Sequence, residues 1–243
     1  MARHRNLLHA TMKLYIGNKN YSSWSMRPWV LLRDAGIPFE EVKVRFDAFT
    51  PDSAFKRTMA ALAPTAKVPV LVDGYLVIWD TLAIAEYLAE WRGREQPGRS
   101  PLWPAGVAER ARARSLCAEM HSGFTALRSH CPMNIEADLP DTGARILAEQ
   151  PTVRADLDRL CAMWSTALAD SGGPWLFGAD FGVADAYFAP VVMRMRSYAL
   201  PLPANVQAYA DRVAARPSVA AWMADARAER DFLDFEEPYR KAP

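Results

Sequence analysis

The stretch KVPVLVDGYLVIWDTLAIAEYL, Lys67 to Leu88, decides how the rest of the chain is placed. It reads as strand, two-residue turn, strand and helix. Val68 to Val72 and Tyr75 to Ile78 are short runs rich in β-branched residues. Asp73-Gly74 between them is a dipeptide that type I′ hairpin turns favour. Asp80 and Thr81 offer capping oxygens where a new pattern starts, with Ile84, Tyr87, Leu88 and Trp91 at helical spacing. Two features exceed what a hairpin needs. Pro69 sits inside a strand, where it has no N–H to give to the ladder. The helix also opens with an acid and a hydroxyl, a pair able to hold the ammonium and carboxylate of an amino acid.

Upstream, Lys13 to Gly17 is a short strand entering the polar turn Asn18 to Ser23. A helix follows through Trp29, Leu31 and Leu32, and Gly36-Ile37-Pro38 ends it. Pro28 belongs in the first helical turn, where a missing N–H is harmless. That makes Ser25 the expected N-cap and leaves Ser22 free in the turn before it. Phe39 to Val44 reads as a second strand, so this unit predicts parallel pairing through a crossover. A short helix within Pro51 to Leu62 completes the order β-α-β-α-β-β-α.

Downstream, WRGREQPGRSPLWP, Trp91 to Pro104, reads as a linker, and beyond it the strand signals stop. Cys117, Met120, Phe124 and Leu127 mark one face of a helix from about Ala105. Val153, Leu157, Leu160, Cys161, Trp164 and Leu168 mark another. After the break at Ser171-Gly172-Gly173-Pro174, helices are expected over Val183 to Ala199, Ala204 to Ala215 and Ser218 to Ala228. The predicted organisation is a basic N-terminal extension over 1–11, an α/β domain over 12–91, a linker over 92–103 and an all-helical domain over 104–243.

The 243 residues are 51% apolar and 23% charged, with a formal charge of +1 and interleaved acids and bases. This balance argues against a nucleic-acid or membrane surface. No apolar run approaches the roughly 20 residues of a membrane-spanning helix. Cys117, Cys131 and Cys161 form no CxxC or Cys/His ligand spacing, which fits reduced thiols of a cytoplasmic protein. His121 and His130 stand without ligand partners, so no metal site is expected.

A small α/β domain followed by helices, with these polar turns, resembles the cytosolic glutathione transferases over about Met12 to Ala228. The motifs are Tyr21-Ser22-Ser23-Trp24-Ser25-Met26-Arg27 after the first strand, Lys67-Val68-Pro69, and Asp80-Thr81-x-Ala83-Ile84. Ser-Ser-x-Ser-x-Arg is most similar to the zeta class, which includes maleylacetoacetate isomerases. Trp24 stands where members of that class have cysteine. The resemblance implies a thioredoxin-like first domain, glutathione as co-substrate, a small apolar electrophile and a homodimer.

Such an enzyme must stabilise a thiolate, since a free thiol has a pKa of about 8.5. A hydroxyl beside a helix N-terminus does this by hydrogen bonding. Ser22, Ser23 and Ser25 are the candidates, and the resemblance puts the catalytic serine at Ser22, with Ser25 second and Trp24 beside the ligand. It also implies a cis Val68–Pro69 bond that turns the Val68 N–H and C=O toward the cysteinyl part of glutathione. Thr81 would take the γ-glutamyl carboxylate, Asp80 the ammonium and Lys67 the glycyl carboxylate. Met120, Phe124, Leu127 and Arg128, followed by Pro132 and Met133, are expected to line the electrophile pocket. Asp185 reads as a structural carboxylate that keeps half of a capping box, because Gly182 lacks the hydroxyl.

These residues imply a glutathione transferase. Within the same class the alternative is glutathione-dependent cis-trans isomerisation of maleylacetoacetate type. A non-catalytic glutathione transferase-like scaffold is the alternative from another class, and it would need none of the three motifs. A thiol-disulfide oxidoreductase is set aside, because Ser-Ser-Trp-Ser offers no thiol.

Overall fold

Alternation in Met12–Ile16 sets the first strand, β1: Met12, Leu14 and Ile16 are buried, Lys13 is exposed and Tyr15 half-buried. The computed structural model describes residues 11–242, so the expected extension over 1–11 lies almost wholly outside the described residues. After β1 come helix α1 (Ser23–Ala35), strand β2 (Phe39–Lys43), helix α2 (Ala54–Ala60), strands β3 (Val70–Asp73) and β4 (Leu76–Ile78), and helix α3 (Thr81–Glu95). The sheet order is β2-β1-β3-β4. β1 runs parallel to β2, while β3 is antiparallel to both β1 and β4. This is the expected thioredoxin-like arrangement.

Two local expectations shift. The hairpin loop is Gly74-Tyr75, because Asp73 still pairs with Leu76. Gly74 alone has positive φ (60°), so the turn needs one left-handed residue and not the two of type I′. Pro69 lies one residue before β3, outside the ladder, and the Val68–Pro69 bond is cis. α1 begins earlier than Pro28 suggested, with Ser22 at the N-cap and Ser25 inside the first turn. Pro28 sits within the helix, where it forfeits one backbone bond, to the Trp24 carbonyl.

α3 runs four residues past Trp91, so the linker is shorter at its start than expected. The helical domain then comprises α4 (Val107–Ser122), α5 (Thr125–His130), α6 (Pro140–Glu149), α7 (Pro151–Ser171), α8 (Val183–Ser197), α9 (Ala204–Ala215) and α10 (Pro217–Glu229). α8 is buried almost throughout and packs against α1, so one apolar core runs from the sheet into the helices. The other face of the sheet carries a smaller cluster of Tyr21, Phe46, Phe55, Met59, Ala63, Val70 and Leu233. Leu233 comes from the segment after α10, which crosses back over the α/β domain and makes a 3-10 turn at Asp234–Glu236.

Asp185, at the start of α8, is 2% exposed. Its carboxylate accepts from the Gly182 and Leu176 N–H groups and from the Tyr209 hydroxyl, at 3.0, 3.1 and 2.9 Å. Gly182 contributes only its N–H, so the cap is one-sided, and Leu176 and Tyr209 supply the other bonds.

Candidate active site

A cleft opens at the N-terminus of α1. Tyr21, Ser22, Ser23 and Trp24 form one wall, Phe46, Phe49, Phe55 and Lys56 another, and Lys67 with Val68 the rim. Ser22, Trp24, Lys67 and Val68, named from sequence, thus meet in one place. Three of them stand at element ends: Ser22 caps α1 while Lys67 and Val68 precede β3, which the sheet holds beside β1.

The two serine hydroxyls form a pair. Ser22 Oγ and Ser25 Oγ are 2.7 Å apart, and Ser25 Oγ accepts the Gly17 N–H at 3.2 Å. Ser25 is fully buried, whereas Ser22 retains 6% exposure at the cleft. The Ser22 side chain caps no helical N–H. Ser23 is held differently, accepting from Arg194 Nη2 at 3.2 Å.

Tyr21, the nearest other hydroxyl, is committed elsewhere. Its O–H donates to Glu237 Oε1 at 2.7 Å, and its oxygen accepts the Leu233 N–H at 3.3 Å. Burial and the Glu237 bond push the phenol up to about 12. Burial alone would raise Glu237 as well, but bonds from Arg240, Tyr21 and Asn134 hold its carboxyl below the usual range. Tyr21→Phe should therefore cost about 1–2 kcal/mol of stability, by removing one of the bonds to Glu237 and leaving the buried Leu233 N–H without its acceptor. It should leave unchanged the pH at which a bound thiol ionises. Chemical denaturation and an ultraviolet thiolate titration check the two halves.

Asp80 caps α3, accepting the Leu82 N–H at 3.2 Å, and its other oxygen meets His121 Nε2 at 3.3 Å. Thr81 departs from expectation. It is 1% exposed, and its hydroxyl lies 3.2 Å from the Tyr187 hydroxyl, turned inward. A carboxylate at this helix end would be met by backbone N–H groups, not by the Thr81 side chain. His121 is not solitary either: Nδ1 lies 2.7 Å from the Tyr187 hydroxyl, and its ring meets Trp24 edge-on at 5.0 Å.

Of the expected apolar pocket lining, Met120, Phe124 and Leu127 pack in the main core, at 1%, 6% and 0% exposure, and are not among the residues around this cleft. Pro132 is not among the lining residues and Met133 is core. Arg128 does reach the site, with its guanidinium 4.8 Å from the Trp24 ring centre. Arg27 lies against the same ring at 4.2 Å. The apolar wall of this cleft comes from Phe46 and Phe49, in the segment before α2, and from Phe55, which with Met59 forms the buried face of that short helix. Phe235, from the returning C-terminal segment, meets Phe49 at 5.4 Å.

Cys117, Cys131 and Cys161 are free, and burial pushes each thiol above its ordinary range, Cys131 to about 12. Among the described residues no group of three or more His, Cys, Asp or Glu side chains is placed to hold a metal ion.

Comparison with known proteins agrees with this fold. The family described as glutathione S-transferase, N-terminal domain, matches residues 21–91, and the glutathione S-transferase C-terminal domain matches residues 108–225. The glutathione S-transferase-like protein OpS6 of Beauveria bassiana is 25% identical over 215 residues, 88% of each chain. Glutathione S-transferase GstB of Escherichia coli is 26% identical over 83% of this chain and 93% of its own. Among solved structures, a glutathione transferase homologue from Burkholderia with bound glutathione superposes with a TM-score of 0.67 at 26% identity. That match covers 90% of this chain and 100% of the other.

Proposed function

This chain belongs to the glutathione S-transferase family, and we propose that it binds glutathione in the cleft at the α1 N-terminus, holds it as thiolate through Ser22 and transfers it to an electrophile. The observation that carries the serine assignment is the hydroxyl chain. Ser25 accepts the Gly17 N–H and is 2.7 Å from Ser22. The Ser22 hydroxyl donates to Ser25. Rotation of both hydroxyls on thiol binding, so that Ser25 donates to Ser22, frees the Ser22 O–H to donate to sulfur, and each bond polarises the next. The unpaired amides of the first turn of α1 add positive potential. The Tyr21 hydroxyl donates to Glu237, which favours Ser22 over it in this role.

In the same reading, the Val68 backbone pairs with the cysteinyl unit and Lys67 faces the glycyl carboxylate. Asp80 with the first amides of α3 holds the γ-glutamyl end. Isothermal calorimetry tests it: glutathione should bind the wild type, and Asp80→Ala should raise Kd about tenfold, the worth of one charge-assisted hydrogen bond. Unchanged affinity in the variant would remove Asp80 from the site. No heat with wild type would remove glutathione.

The zeta-class reading, with isomerisation as its chemistry, rests on Ser22-Ser23-Trp24-Ser25-Met26-Arg27. Trp24, stacked between two guanidinium groups, occupies the place of that class's cysteine. We extend the family reading to a cytoplasmic homodimer, which sedimentation of the intact protein would test. No helix of the described residues is long and apolar enough to cross a membrane.

A further inference from the structure

Three arginines converge behind Ser22 and Ser23, and none has a carboxylate within ion-pair distance among the described residues. Arg27 is 4% exposed, sandwiched between the Trp24 and Tyr187 rings at 4.2 and 4.5 Å. Its Nε donates to the Tyr187 carbonyl at 2.9 Å, and its Nη1 has no acceptor. Arg194, 7% exposed, donates to the carbonyls of Cys131 and Arg128 and to Ser23 Oγ, at 2.6, 3.2 and 3.2 Å. Arg128 is half-buried beside Trp24, itself half-buried in the cleft wall, with only long contacts to the His121 and Gly123 carbonyls, 3.3 and 3.5 Å.

Buried like charges without partners oppose folding. Burial and mutual repulsion push Arg27 and Arg194 down to about 10, which still leaves both charged at neutral pH. Two acids face the cluster. Asp80 is engaged with His121 and its own helix end, and burial pushes Glu236, which faces Arg194, up to about 7. Positive potential is therefore focused on the half-open Trp24–Arg128 corner.

We propose that this corner is an anion subsite and that the second substrate is an acidic aromatic electrophile, its ring on Trp24 and its carboxylate on Arg128. This rests on the transferase reading above and replaces the apolar electrophile expected from sequence. A planar guanidinium is suited to paired bonds with a carboxylate, and Trp24 and Arg128 are both partly exposed to solvent.

A chloronitrobenzoate and its neutral methyl ester test it on the intact protein. In both, the sulfur–carbon bond forms as the carbon–chlorine bond breaks, chloride leaves and the thiol proton passes to solvent. The wild type should show a KM for the acid about tenfold below that for the ester. Added salt should narrow the gap, because Arg128 is only half-buried. Arg128→Gln should abolish the preference, and Arg128→Lys should restore part of it. Calorimetry of the acid alone reports the corner independently of turnover. If glutathione fails to bind while the acid binds, the transferase reading falls and the subsite stands. Equal KM values for acid and ester in the wild type, with glutathione bound, would overturn the subsite. So would an Arg128→Gln protein whose thiolate forms at higher pH with the acid-to-ester ratio unchanged, since the anion served would then be sulfur.

Discussion

Ser22→Ala should keep glutathione bound yet form its thiolate only at higher pH than the wild type. The hydroxyl addresses sulfur alone, so binding through Val68, Lys67 and Asp80 remains. A single donor removed from a standing or developing anion costs up to about 3–4 kcal/mol, a rate loss of a hundredfold or more at neutral pH. Activity should recover in part as the pH rises. Ultraviolet difference titration of bound glutathione follows the thiolate directly. Ser25→Ala should move the band in the same direction by less, because Ser25 acts on sulfur only through Ser22. Its hydroxyl is not a helix cap, so a pure stability loss with an unmoved band would break the proposed relay. A thiolate band that stays put in Ser22→Ala would end the serine mechanism.

Asp185→Ala should produce the largest loss of stability. It removes the acceptor of three donors, the Leu176 and Gly182 N–H groups and the Tyr209 hydroxyl. Unpaired buried donors cost about 1–3 kcal/mol each, and partial relaxation leaves an expected loss of about 4 kcal/mol. The carboxyl also makes stability depend on pH. Burial raises it from 3.8 to about 6 against the pull of its hydrogen bonds. A folded-state value above the unfolded one means that the native state holds the proton longer. Its contribution is present in full below the unfolded value and is lost as pH rises through about 6. Two units correspond to about 3 kcal/mol. Urea titrations of wild type and Asp185→Asn across this window should differ by that slope. Parallel curves would show that Asp185 does not titrate there.

The fold was legible because its signals are local. The Gly74 hairpin, the capped start of α3 and the helical stripe of α7 each declare themselves within a few residues. The start of α1 was misread because Pro28 was assigned to a first turn it does not occupy. α6 escaped notice because Gly143 weakens a helical pattern. A Cβ there would come 1.9 Å from the Tyr198 carbonyl oxygen, so the glycine records a close approach that only tertiary structure reveals. Around the cleft, Ser22, Val68 and Asp80 lie in motifs that the sequence displays, and Arg27 closes the first of them. The sequence assigns no role to Arg27 or Arg194, although each sits in an apolar helix run, SMRPWVLL and PVVMRMRS. The Met120 stripe packs in the core, and spacing alone cannot tell a cleft wall from core.

The segment from α10 to Arg240 fastens the loop before α1, which carries the proposed thiol site, residue by residue. Asn18 bonds Asp231, the Lys19 N–H bonds Glu229, Asn20 reaches Glu237 through Asn134, and Tyr21 bonds Glu237 directly. These partners are separated by more than 200 positions along the chain. On the ribosome, the first loop is therefore made long before anything exists to hold it. Contacts of such span form late, because the cost of closing the loop comes before its reward. The α/β domain should emerge with its sheet formed and its thiol loop unfastened, and competence should arrive in one step with the last helix and the segment beyond it. Stalled chains released at successive lengths and passed over glutathione resin would show this as a sharp onset of retention, not a gradual rise.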